Sequence, residues 1–124
     1  MLINAQAHLE KRNTDKDTPL LLAAAKSHQL EMLSLLLAAK ANPNVMNIDE
    51  KTPLELVSLR NEVAAARALL AARASVETRT NSGTAVHAAA QSGSGNVLQL
   101  LISAKASITS LNKQRLTPLQ VAEQ

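Results

Sequence analysis

A chain of 124 residues is the size of one domain, and without Phe, Tyr or Trp its core has no large side chain to bridge a wide gap. The absence of Cys excludes disulfides and thiolate metal sites and fits an intracellular protein, with the cytoplasm the expected compartment. The net charge of +3 comes from basic residues spread along the chain, which argues against a dedicated nucleic-acid surface.

The apolar residues are mainly 22 Ala and 21 Leu, with only 11 Val and Ile, so thin, closely packed helices are expected and an all-β fold is not. Residues 1–4 carry no basic run, and the longest apolar stretch, 20–25, is six residues. Neither a signal peptide nor a membrane span is expected.

In chain order, the first element is the phrase Leu2-Ile3-Asn4-Ala5-Gln6-Ala7, read as the end of a helix. Thr18-Pro19-Leu20 then opens a new one. Thr is a good N-cap, Pro fits the first helical position where no amide bond is lost, and Leu begins the buried stripe. A short helix is predicted over 19–26, a turn at Ser27-His28-Gln29, and a second helix over 30–39. It closes on Leu36-Leu37-Ala38-Ala39-Lys40-Ala41. Thr52-Pro53-Leu54 starts the next pair, 53–60 and 63–72, ending on Leu69-Leu70-Ala71-Ala72-Arg73-Ala74. A degenerate start, Thr84-Ala85-Val86, gives 85–92; Gly93-Ser94-Gly95 is read as the turn, and 97–104 follows, with Leu101-Ile102-Ser103-Ala104-Lys105-Ala106. Thr117-Pro118-Leu119 opens a last helix over 118–124. The starts lie 34, 32 and 33 residues apart, and both markers keep the same period, the signature of a solenoid. The connecting segments 42–51, 75–83 and 107–116 are long enough for extended hairpins set across the helices.

The chain resembles the ankyrin repeat family, whose phrase Thr-Pro-Leu-His-x-Ala-Ala is matched by Thr84-Ala85-Val86-His87-Ala88-Ala89-Ala90. Ser27-His28 with Leu30-Glu31-Met32-Leu33, and Ala41-Asn42-Pro43-Asn44, match its later parts. The resemblance implies an all-α fold, an ankyrin-type α-solenoid of stacked antiparallel helix pairs joined by β-hairpin loops. The expected organisation is a single domain, 1–124, with a partial repeat 1–12, repeats at about 13–46, 47–79 and 80–111, and a partial repeat 112–124. Such a pattern is expected of a fragment of a longer array. Three departures stand out. The family's glycine after the second helix is Gln6, Lys40, Arg73 and Lys105, where a left-handed residue should cost up to about 1 kcal/mol per site. Gln29 reads as an inserted residue, and the hairpin before Thr84 is one residue short.

No catalytic constellation emerges. His8, His28 and His87 share no i, i+3 or i, i+4 spacing, so no zinc site is suggested, and His87 fits the family's structural His. Asp15 with Asp17, and Asp49 with Glu50, fall at loop tips open to water, where acids make poor general acids. No nucleotide motif is present, and no cofactor or metal is expected. The reading is therefore a non-catalytic protein–protein interaction module acting as a monomer, with neither nucleic acid nor membrane as partner.

The resemblance places partner contacts on the hairpin tips and the outward face of the first helices. In register these are Thr14, Asp15 and Asp17 with Ala25 and Lys26, then Ile48, Asp49 and Lys51 with Leu59 and Arg60. Thr80, Asn81 and Ser82 with Gln91 and Ser92 follow, and last Lys113, Gln114 and Leu116. Ile48, Leu59, Leu111 and Leu116, with Met46, are apolar at positions the register exposes; they form a contact patch or pack on the next hairpin. Two other readings stay open. One is a structural spacer attached to a binding or enzymatic domain outside this segment. The other is a contact of the basic residues with nucleic acid or acidic lipid.

Overall fold

Every Thr expected to open a helix does so. In the computed structural model, which describes residues 8–124, His8 and Leu9 are helical and seven further helices follow one another. They are α1 (Pro19–Ala24), α2 (Leu30–Ala38), α3 (Pro53–Ser58), α4 (Val63–Ala71), α5 (Ala85–Ser92), α6 (Gly95–Ser103) and α7 (Pro118–Ala122). The phrase at 2–7 lies outside the described residues. Thr18, Thr52 and Thr117 accept through Oγ1 from the backbone N–H three residues on, at 3.3, 3.1 and 3.3 Å, each with Pro at the start of its helix.

The second helices end in one way. Lys40, Arg73 and Lys105 are left-handed, with φ of 76°, 70° and 70°. The N–H groups of Ala41, Ala74 and Ala106 reach back to the carbonyls of Leu36, Leu69 and Leu101 at 3.0, 2.9 and 3.0 Å. This is the double-bonded C-cap that normally recruits Gly, and the three Ala residues sit buried beneath it.

The helices form two rows. First helices pack as α1–α3–α5–α7, second helices as α2–α4–α6, and each pair closes on itself. A core of Leu20, Leu54, Val86, Leu33, Ala66, Leu69, Val97 and Leu101 runs along the stack. Its largest members are Leu, so the helices approach closely, and trimming one Leu to Ala should cost ~2–5 kcal/mol. Polar bonds repeat with the same beat. Glu10 Oε2, Asn44 Oδ1 and Glu77 Oε2 accept the N–H groups of Asn42, Ser75 and Ser107 one unit on, at 2.8, 2.7 and 2.7 Å.

Several boundaries differ from the sequence reading. α1 and α3 stop two residues short of the expected ends, because the chain turns through left-handed His28 and Asn61. α6 begins at Gly95, so Gly95 belongs to the helix; Ser94 and left-handed Gly93 alone make the turn. α7 ends at Ala122. The loops reverse as hairpins do, yet among the described residues pairing goes no further than one isolated bridge, Thr80 to Gly83.

Candidate functional site

One side chain builds most of the tips. Asn13 Oδ1 accepts from the N–H groups of Asp15 and Asp17, both at 2.9 Å. Asn47 Oδ1 holds Asp49 and Lys51 at 2.9 and 3.0 Å, and Asn112 Oδ1 holds Gln114 and Leu116 at 2.9 Å each. The backbone closes each loop, as in Asn47 N–H to Lys51 O at 3.1 Å, and the fourth residue is left-handed: Lys16, Glu50 or Arg115. By taking two amides a strand would need, the Asn carbonyl fixes a tight turn in place of an extended ladder. The shortened third tip uses Thr80, whose Oγ1 accepts from Ser82 N–H at 3.2 Å while Gly83, φ +106°, completes the reversal.

The tips are laced together. Ile48 N–H donates to Asp15 O at 2.8 Å, and Asn47 Nδ2 to Asp17 Oδ1 at 3.1 Å. Asn81 Nδ2 donates to Asp49 O at 3.3 Å and its Oδ1 accepts from Lys113 Nζ at 2.6 Å, so Asp49, Asn81 and Lys113 form one row across three tips. Arg79 reaches Leu111 O. Below the tips, Asn81, Gln91, Asn112, Gln114 and Gln124 surround a cavity of about 500 Å³ with Leu116 at its edge. No lining side chain is titratable, so the side chains around the cavity offer neutral donors and acceptors.

Other expected contact residues sit differently. Ile48 is 55% exposed, and Asp15, Asp49, Lys26, Gln91 and Lys113 also face water. Leu59, Leu116 and Met46 are half-buried. Arg60 turns inward, donating to the carbonyls of Ala24, Ala25 and Lys26 at the end of α1 while Glu62 flanks it at 3.3 Å. That is a cation closing a helix C-terminus. Lys51 Nζ lies 3.6 Å from Glu55 Oε2, and Glu55 is buried with neither carboxylate oxygen hydrogen-bonded. His87 is buried too: Nδ1 accepts from Thr84 N–H at 3.1 Å, so Nε2 carries the proton donated to Leu116 O at 2.9 Å.

The sequence reading missed the Asn keystones and Gln124. The first left a signal: Asn13, Asn47 and Asn112 each stand five residues before a capping Thr. Gln124 left none, since its place at the cavity depends on how α7 packs on α5.

Among the described residues there is no group of three or more His, Asp or Glu placed to hold a metal ion, and no helix long and apolar enough to cross a membrane. Comparison with known proteins gives two family matches and a relative. The model for ankyrin repeats (3 copies) matches residues 1–80, and that for a single ankyrin repeat matches 83–113. The Arabidopsis thaliana protein named "Putative E3 ubiquitin-protein ligase XBAT31" is 34% identical over 92 residues, 73% of this chain. The matched region spans 20% of that relative's length.

Proposed function

The chain belongs to the ankyrin repeat family, and from that premise we propose that it is a non-catalytic recognition module working inside the cell. An extended segment of a partner protein lies across the tips and into the amide-lined cavity. The observation that carries this reading is the cavity itself: Asn81, Gln91, Gln114 and Gln124 are carboxamides, which pair with the N–H and C=O groups of a peptide backbone. Ile48 supplies an apolar contact at one side, and the row Asp49–Asn81–Lys113 sets the orientation of the segment. Asp15, Asp17, Lys26 and Lys51 flank this surface, while Leu59, Arg60 and Leu116 support it from within.

The test is selection of peptides from a displayed random library on this chain. Binding of a selected peptide should weaken at least ~10-fold, or ~1.4 kcal/mol, in an Ile48→Asp, Gln91→Ala variant of unchanged helicity. It should hold in Arg67→Ala, which alters an exposed residue of α4 outside the cavity. Equal affinity for all three proteins refutes the reading.

A second reading has one observation behind it, the match to a protein named as a ubiquitin ligase. Here the array is an arm attached to an enzymatic domain elsewhere. This segment, lacking Cys, has no side chain that could form a ubiquitin thioester.

A further inference from the structure

The second helices all end on the same kind of residue. Lys40, Arg73 and Lys105 hold the left-handed position that Gly adopts without strain, and all three are exposed. A helix C-terminus favours a cation, which accounts for a positive charge at each of the three ends alike. The seams between units are not alike. Glu10 crosses one seam to Asn42 and Glu77 crosses another to Ser107, so each of those carries a carboxylate. The seam between Lys40 and Arg73 carries Asn44 in the same register. Its Oδ1 accepts from Ser75 N–H at 2.7 Å and its Nδ2 donates to Arg73 O at 3.5 Å. This seam joins α2 to α4, inside the described stack.

A pocket of about 480 Å³ opens on that seam. Leu37, Pro43 and Ala71 give it apolar walls, Asn42 adds a neutral amide, and Lys40 and Arg73 are its only charged lining residues. Glu10 stands behind Asn42 without lining the pocket. Arg60 and Arg79 spend their guanidinium groups on backbone carbonyls of a neighbouring unit, whereas that of Arg73 makes no hydrogen bond or ion pair among the described residues. Its planar fork of donors matches a carboxylate at two points.

We propose that this pocket binds an acidic segment of a partner protein, an extended stretch in which one apolar side chain is flanked, two residues to either side, by carboxylates. Alternate residues of an extended chain face one way, so the three side chains reach the pocket together. The carboxylates then stand about 13 Å apart at ~3.3 Å per residue, while packed helices lie ~8–10 Å apart. The long, flexible stems of Lys40 and Arg73 span the difference. The apolar residue seats against Leu37 and Ala71. Other anions fit less well. A chain without aromatic residues offers no platform for stacked bases. Two cations fall short of the roughly four to eight that hold a protein to acidic lipid. The pocket shares no residue with the amide-lined cavity, so it is a second contact surface that goes beyond the tips.

An amide NMR titration with the capped peptide Glu-Ser-Leu-Ser-Glu at low salt tests it. Shifts should centre on Lys40, Asn42 and Arg73, and affinity should fall as salt rises. It should drop at least ~5-fold in a Lys40→Gln, Arg73→Gln variant, and as far when Gln replaces both Glu of the peptide. A Lys40→Gly, Arg73→Gly variant should lose as much binding while gaining stability, because Gly relieves the left-handed strain; lost contact is thereby separated from lost fold. Lys105→Gln, and the Ile48→Asp, Gln91→Ala variant, should bind the peptide as the unaltered chain does, so this site and the tip surface can fail independently. The proposal is overturned by absence of binding to the unaltered chain or by equal affinity in the two double variants of Lys40 and Arg73. Tighter binding of oligothymidylate or of phosphatidylserine vesicles through the same two cations overturns it as well.

Discussion

Replacing each of the three glycines by Ala should give three different results, and the differences follow from local geometry. Gly95 is the first residue of α6 and an added Cβ meets nothing within 4 Å, so Ala there should stabilise by ~0.4–1 kcal/mol through the unfolded chain. Gly93 has φ +72° and equally open space; Ala should cost about 1 kcal/mol from backbone strain alone. At Gly83 the two effects combine. Its φ is +106°, and a Cβ would fall 2.7 Å from His87 Nδ1 and 2.9 Å from Asn112 Cβ. The buried ring cannot yield without giving up Thr84 N–H and Leu116 O. Strain of ~1–3 kcal/mol and two disrupted hydrogen bonds at ~1 kcal/mol each sum to about 3–5 kcal/mol. Urea unfolding followed by far-UV circular dichroism reads this, since no Trp or Tyr reports by fluorescence. With a slope of ~1–3 kcal/mol per molar, a loss of about 3 kcal/mol moves the midpoint down by roughly 1–3 M. A second measurement isolates the clash: in a His87→Ala background, Gly83→Ala should cost markedly less. Equal costs at Gly83 and Gly93, or no coupling to His87, would refute the argument.

Four further substitutions should behave as follows. Glu55→Gln removes the buried charge that faces Lys51 Nζ at 3.6 Å, and a carboxylate could accept the Thr52 N–H as well as a carboxamide does; a loss of about 1 kcal/mol is expected, and a raised midpoint in urea unfolding contradicts it. Arg73→Gly and Lys105→Gly relieve left-handed strain and should each stabilise by ~0.5–1 kcal/mol, additively in the double variant. Asn47→Ala frees the N–H groups of Asp49 and Lys51 and drops the bond to Asp17; it should cost ~1–2 kcal/mol and speed amide hydrogen exchange at those two residues.

Much of the architecture is written locally. Thr18, Thr52 and Thr117 announce their helices because a cap needs only its own next three residues, and Lys40, Arg73 and Lys105 mark the ends of others. What resists reading is anything decided between units. Arg60 at an exposed register position looks like a surface contact until the end of α1, 34 to 36 residues upstream, comes within reach of its guanidinium. The cavity is similar: Asn81, Gln91 and Gln124 converge only once α5 and α7 lie side by side. The tips fall between these cases, since the Asn motif is local but its competition with strand pairing is decided only in the folded chain.

The bonds that join one unit to the next span 29 to 36 residues, as from Asn44 to Arg73 and from Arg60 to Ala24. Pulled by its two ends, such a chain bears the load in series, with every seam feeling the same force and the weakest parting first. Each rupture releases about one period of polypeptide, roughly 110 Å of contour at ~3.3–3.6 Å per residue. Under tension the molecule should lengthen in discrete steps, as a ratcheted spring does.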